Sequence, residues 1–308
     1  FEEDKVLVSL VVSQTTGFPL FSHDGQWIYY FDNSAIKRIR IEGGLPQTLV
    51  ENGAMTRGLI PSSTDLIFTK TLDFGLYSLN ISSGKEQLLL AGNGSFHPSF
   101  PAPIADTSYI LVTQSPLREY GQASIYLLDL TNGESREIIS QGYNARYLDP
   151  GFIVFIRGNA IWAQPFNTDE MMIYGDAKPV IFNIYASTTT GRAKYSVSKN
   201  GTLIYIDTSQ SAATSIRNVN SPVWVDRSGK VDIISPELVV HGHPRISPTH
   251  DEALFTDIAA GERSDIWVYN FETDTFGRRT FGTGTTVGLW SLDGQRIFFN
   301  DDFGISSV

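Results

Sequence analysis

Cysteine is absent from the 308 residues, which excludes disulfides, zinc–thiolate sites and thiol nucleophiles together. It leaves the compartment open, because an exported chain can also do without disulfides. Long apolar runs are missing too. A bilayer-spanning helix needs about 18–20 apolar residues, whereas the longest candidate, Val6–Val12, is broken by Ser9 and has the length of a strand. Charge is scarce and leans negative: 18% of residues are charged and the net charge is −10. A nucleic-acid partner needs a concentrated positive surface, and an anionic membrane repels an acidic protein. We therefore expect no nucleic-acid partner and no membrane insertion within the chain.

Motifs that carry chemistry are equally scarce. There is no G-x-S-x-G elbow, no G-x-x-x-x-G-K-[ST] phosphate loop and no D-x-D-x-D-G calcium loop, so no cofactor is expected. Almost no segment has a helical period. Aromatic residues make up 12% of the chain, enough for a packed core. The chain starts at Phe1 without a basic-then-apolar leader, which is expected of a processed precursor or a trimmed chain.

What the sequence does contain is a repeated phrase. Residues 21–31 read FSHDGQWIYYF and residues 290–300 read WSLDGQRIFFN. Between them the same grammar recurs at the spacing of about 40–50 residues expected of a four-stranded propeller blade. LIPSSTDLIFTK leads to FGLYSLNISSGKEQLLL, and SFPAPIADTSYILVTQ leads to SIYLLDLTNGESREII. RYLDPGFIVFIRG leads to AIWAQPFN and, after an insertion, AKPVIF. YSVSKNGTLIYID leads to SPVWVDRSGKVDIIS, and RISPTHDEALFTD leads to DIWVYNFETDTFGRRTF. Each unit has a turn of Ser, Pro, Asp, Asn and Gly, then an apolar strand, then an alternating strand. A turn such as Asn132-Gly133 or Ser83-Gly84 closes a hairpin onto a fourth strand.

The alternative is a β-sandwich with regular turns; seven matches in one register favour an all-β, seven-bladed β-propeller in one domain, 1–308. The blades are expected at 13–51, 52–92, 93–140, 141–183, 184–237, 238–284 and 285–308 plus 1–12. The last unit lacks a fourth strand, and an open sheet edge invites aggregation. We therefore expect Lys5–Val12 to supply it, bringing the two similar phrases together; a truncated longer chain is the alternative. Gly25 and Gly294 are expected at positive φ.

The turns SHDG, SLDG and SKNG, followed by WIYY, RIFF and TLIY, resemble the repeats of TolB-like propellers (WD40-like, PD40). YNARYLDPGFIVFIRGNAIWAQPFN, YSVSKNGTLIYI and PVWVDRSGKV are similar to the propellers attached to bacterial membrane-bound serine/threonine kinases. That resemblance implies an extracytoplasmic sensor or interaction domain. No kinase signature accompanies it. Asp73-Phe74-Gly75 spells one such motif by chance, with no partner motifs around it.

Asp24, Asp65, Asp106, Asp149 and Asp293 read as turn caps. His241 and His243 have the i, i+2 spacing of half a metal site on a strand, or belong to a solvated loop. His23 and His250 lie in turns. A better signal comes from comparing positions before each innermost strand, which line one mouth of a propeller's channel. That slot reads Thr16, Arg57, His97, Arg146, Arg192 with Lys194, His243 with Arg245, and Thr286. Phe96, Tyr143, Tyr147 and Trp290 are candidate walls. An acidic protein that gathers Arg, His and Lys at one slot has the donors to clasp a carboxylate or phosphate.

Two functions follow. The first is a non-enzymatic, periplasmic or extracellular sensor propeller, a monomer or a fragment of a membrane-anchored protein. It would bind a small anionic ligand or a protein segment through Arg57, His97, Arg146, Arg192, Lys194, His243, Arg245 and Trp290. The second comes from a resemblance of the repeat to seven-bladed polysaccharide lyases for acidic sugars, which implies that Arg146 or Arg192 neutralises the uronate and that His97 or His243 serves as base or metal ligand.

Overall fold

The computed structural model describes residues 5–9, 20–22, 24–32, 34–51, 54–61, 64–70, 73–93, 95–104, 106–149, 151–197, 203–208, 221–225, 231–234, 244–257, 264–282, 287–300 and 304–308. Their strands form seven antiparallel sheets, the blades of a seven-bladed β-propeller. The one helical element among the described residues is a 3-10 turn, Tyr120–Gln122. No described helix is long and apolar enough to cross a membrane.

The second strand of each blade explains the architecture. Trp27–Asp32 (WIYYFD), Asp65–Lys70 (DLIFTK) and Phe152–Arg157 (FIVFIR) are near-continuous runs of β-branched and aromatic residues. Such runs suit a strand covered on both faces. Their central four residues are buried in each case.

The chain divides into two compact units, Glu51–Ala193 and a second made of Phe1–Val50 with Lys194–Val308. The discontinuous unit holds four blades. Blade 1 is Leu20–Phe21, Trp27–Asp32, Ala35–Arg40 and Gln47–Val50. Blade 5 spans Tyr195–Val197 to Val231–Ile233, and blade 6 spans Arg245–Ile246 to Thr275–Arg278. Blade 7 is Gly288–Trp290, Ile297–Asn300 and Gly304–Ser307, completed by Lys5–Ser9.

The continuous unit holds the other three. Blade 2 spans Ala54–Pro61 to Glu86–Leu90, and blade 3 is His97–Pro103, Tyr109–Ser115, Ser124–Asp129 and Ser135–Ile139. Blade 4 is Tyr143–Leu148, Phe152–Arg157 and Ala160–Asn167, with Met172–Ile173 and Lys178–Ile181 both pairing the third strand. The sequence insertion after AIWAQPFN thus splits this blade's outer strand in two.

The expected closure is present. Lys5–Ser9 pairs antiparallel with Gly304–Ser307, with Lys5 opposite Ser307 and Ser9 opposite Gly304. The observed strand ends at Ser9; the last three residues of the expected span lie outside the described residues. The two similar phrases do meet. Phe21 packs edge-on against Phe298, ring centroids 5.2 Å apart. A Cβ placed on Gly25 would lie 2.9 Å from Leu292 Cδ1.

Both turns use the same hydrogen bonds. Ser22 Oγ accepts from Trp27 N at 3.0 Å and donates to Asp24, whose Oδ1 accepts from Gln26 N at 3.0 Å. Ser291 and Asp293 repeat this with Arg296 N at 2.9 Å and Gln295 N at 3.0 Å. Gly25 has φ +68° and Gly294 φ +71°, as the turn requires. In blade 6 the same place is taken by His250, at φ +65°. The aspartates expected to cap turns thus do so at Asp24 and Asp293.

Removing residues 1–9 leaves the Gly304–Ser307 edge bare. We expect the truncated protein to self-associate. Its melting temperature should fall by about 2 °C or more, the equivalent of about 1 kcal/mol or more for a chain of this size. A monomeric variant with an unchanged melting curve would show that this strand does not close the blade in solution.

Candidate functional site

The site lies wholly within the unit Glu51–Ala193 and is built on two irregular inner strands. In blade 3, Ser99 pairs Thr113 and Ala102 pairs Leu111, so the strand bulges between them. In blade 4, Tyr143 pairs Ile156 and Arg146 pairs Val154, a bulge of the same kind. Each bulge holds a non-glycine residue in the left-handed region, Phe100 at φ +48° and Asn144 at φ +54°. Such a conformation is disfavoured for L-residues and persists where the surroundings over-determine it.

For Asn144 those surroundings are explicit. Its backbone N–H donates to Thr113 Oγ1 of blade 3 at 3.0 Å, and its Nδ2 donates to Gly191 O at 3.3 Å. Gly191 belongs to a small hairpin closed by the Ala186–Ala193 bridge and by Ser187 N to Arg192 O at 2.9 Å. Tyr120 fastens the same hairpin, its N–H donating to Thr188 O at 2.7 Å. Gly191 itself sits at φ +71°, and a Cβ there would lie 2.5 Å from the Phe100 ring and 2.6 Å from that of Tyr120. Only glycine fits at this close approach.

Beneath the hairpin is a buried polar and aromatic cluster. Tyr120 is fully buried and His97 is 3% exposed. The Tyr120 hydroxyl donates to Ser99 Oγ at 3.2 Å and lies 3.4 Å from His97 Nε2, which is 3.5 Å from Ser115 Oγ. The rings form a chain with centroid separations of 5.8 Å from Phe74 to His97, 6.0 Å from His97 to Tyr120 and 5.8 Å from Tyr120 to Tyr143. Burial pushes the Tyr143 hydroxyl up to about 12, so the phenol stays neutral at any physiological pH.

The residues expected to share one slot do not occupy one register position. Arg146 follows its bulge and corresponds to Ala102, whereas His97 precedes the bulge of its own strand. The two bulges are alike, three residues against two, so the offset lies in where each strand begins to pair, at His97 in blade 3 and at Tyr143 in blade 4. Arg146 is exposed, and its Nη1 donates to Ala145 O at 2.8 Å. Among the described residues no carboxylate forms an ion pair with it. Arg192 is exposed on the hairpin. Because Gly191 is bonded to Asn144, two residues from Arg146, these two guanidinium-bearing segments are brought together.

Arg57 lies in the strand Ala54–Pro61, and its side chain is outside the described residues, as is all of His243. The remaining candidates belong to the other unit. Lys194 is half-buried, its carbonyl accepts from Ile206 N at 3.1 Å, and burial lowers its ammonium pKa. The Arg245 carbonyl accepts from Trp290 Nε1 at 3.2 Å. Trp290 is 7% exposed and packs with Leu254, Ile266 and Phe299, so its indole serves the core. Tyr143, another candidate wall, is buried; Phe96 is 44% exposed. Among the described residues no three His, Asp or Glu gather as metal ligands. Asn144, Tyr120 and Gly191 escaped the sequence reading; the clue was a glycine after the exposed threonines 188–190.

No family model and no curated protein matches the chain. Solved structures do match it. An oligogalacturonate lyase in complex with manganese is 13% identical, covering 94% of this chain and 87% of its own, with a TM-score of 0.70. An oligogalacturonate lyase from Vibrio parahaemolyticus is 12% identical over 94% of this chain and 88% of its own, TM-score 0.68. TolB from Acinetobacter baumannii is 17% identical over 87% of this chain and 64% of its own, TM-score 0.53. The chain shares their propeller fold. At these identities the likeness is one of architecture, and the TolB-like repeat grammar read from the turns agrees with it.

Gly191 gives a direct test of the hairpin's seat. Gly191→Ala meets both a positive φ and two rings, so it should destabilise by about 2 kcal/mol or more. Gly158→Ala, at φ +63° with nothing within 4 Å, should cost about 1 kcal/mol or less. Denaturant titrations giving equal losses for the two would refute the close packing of the hairpin.

Proposed function

We propose that the chain is a non-enzymatic binding propeller, a sensor or interaction domain outside the cytoplasm, that takes a small anionic ligand beside Arg146 and Arg192. The observation that carries this reading is the exposed guanidinium of Arg146, bonded to a neighbouring carbonyl rather than to a carboxylate. In a protein of net charge −10, a guanidinium with no carboxylate partner among the described residues is a donor fork for an external anion. The Asn144–Gly191 hydrogen bond supports it by holding the Arg192 segment alongside.

A second reading is favoured by the likeness to the two oligogalacturonate lyases: an enzyme acting on acidic sugars, with the same arginines neutralising a uronate carboxylate. It asks His97 or His243 to act as base or metal ligand, and His243 lies outside the described residues. With its ring 3% exposed and flanked by Phe74 and Tyr120, His97 is better suited to packing than to proton abstraction.

Calorimetric titration with glucuronate and with a short acidic oligosaccharide tests the proposal. Arg146→Met keeps much of the bulk and removes the charge. It should weaken binding about 10-fold or more, the value of one charge-assisted hydrogen bond, with the melting temperature unchanged. Wild-type affinity should fall as salt rises. Absence of binding by the wild type, or equal affinity of Arg146→Met, overturns the reading. Unsaturated product absorbing in the ultraviolet would replace it with the lyase.

A further inference from the structure

The outer strand of blade 4 carries a surface that the proposed anion site does not use. Large hydrophobic side chains are exposed at thirteen described positions, and four of these, Met172, Tyr174, Val180 and Phe182, fall between positions 172 and 182. Their exposures are 54%, 57%, 54% and 60%. Single exposed apolar residues are ordinary on a protein surface, but these four line one edge of blade 4, along the third strand from Asn167, opposite Met172, to Ile161, opposite Ile181, and a cluster on one edge marks an interaction site.

The segment is firmly held. Tyr174 N donates to Pro165 O at 3.1 Å, and Gln164 Nε2 donates to Tyr174 O at 2.8 Å and to Gly175 O at 3.1 Å. Arg136 of blade 3 bonds the Met171 carbonyl. Ile173 and Ala177 point inward onto the core of blades 3 and 4, which turns the intervening residues outward. The apolar side chains are thus presented on a fixed support.

The charges around them choose the partner. Asp169, Glu170 and Asp176 are exposed on the same segment, against Lys178 on it and Arg136 at the Met171 carbonyl, three negative charges against two positive. That rim repels a second copy of this acidic chain and attracts cations. Pro179 sits within the edge strand Lys178–Ile181, and its missing N–H disfavours extension of the sheet by an added strand. Recognition therefore rests on side chains.

We propose that the outer strand of blade 4, from Met172 to Phe182, docks a protein segment that combines apolar or aromatic side chains with flanking Lys or Arg. Panning a random 12-residue peptide library on the whole chain tests this, with Tyr174→Ser/Phe182→Ser as counter-selection. Enriched peptides should pair Leu, Phe or Trp with Lys or Arg. Their affinity should fall at least tenfold in the double variant, and several-fold in Asp169→Asn/Glu170→Gln/Asp176→Asn, with melting curves retained. Should the double serine variant fail to fold, Met172→Gln/Val180→Thr takes its place with the same expectation. Peptides that are acidic, that bind the variants equally or that fail to emerge overturn the proposal. So does a dimer seen in sedimentation and abolished by Phe182→Ser, which would assign the surface to a second copy.

Discussion

A strand at the margin of a sheet presents a row of backbone donors and acceptors, and leaving them bare costs specificity as much as stability. The seven-bladed arrangement depends on one solution to that problem, the antiparallel ladder between Lys5–Ser9 and Gly304–Ser307. Each other four-stranded blade is assembled from one continuous stretch of chain and completes itself. Blade 7 alone draws on sequence from both ends, so its folding is the least local event in the molecule. The packing of Phe21 on Phe298 and of Leu292 over Gly25 follows from it, since these contacts require the first and last blades to be neighbours.

Much of this was legible in the residues because strands and turns are written in local chemistry. A run such as WIYYF has one sensible use, and a Ser two residues before an Asp and three before a Gly satisfies its own turn with a hydroxyl, a carboxylate and a positive φ. The recurrence of that chemistry revealed the blades, and the missing fourth strand revealed the closure. His250 shows the limit of reading turns by their glycines: Ser247 Oγ still accepts from Glu252 N and donates to a carboxylate, now Asp251 four residues on, while a histidine accepts the left-handed conformation.

The site was legible only in part. Comparing successive units assumes that equal spacing means equal position, and β-bulges break that assumption by one residue or more. The inner strand of blade 2 advances from Met55 to Leu59 while its partner moves one residue; that of blade 3 advances from Ser99 to Ala102 while its partner moves two. Blades 3 and 4 carry the same bulge, and His97 and Arg146 still differ in register, because His97 opens its strand whereas Arg146 lies beyond the bulge of its own. Asn144 and Tyr120 gave no signal because their importance is relational. Asn144 matters through Thr113 and Gly191, residues 31 and 47 positions away.

The geometry of the closing ladder also sets how the protein meets mechanical load. Lys5 is opposite Ser307 and Ser9 is opposite Gly304, so the two free ends of the ladder lie at the same rung. Tension applied through both ends would not shear all the rungs at once. It would open them in sequence, as a zipper opens, with Lys5–Ser307 first and Ser9–Gly304 last. Shearing loads every hydrogen bond together, whereas peeling loads one. Tethered from both sides, this propeller would yield at blade 7 under low force while the six self-contained blades kept their pairing.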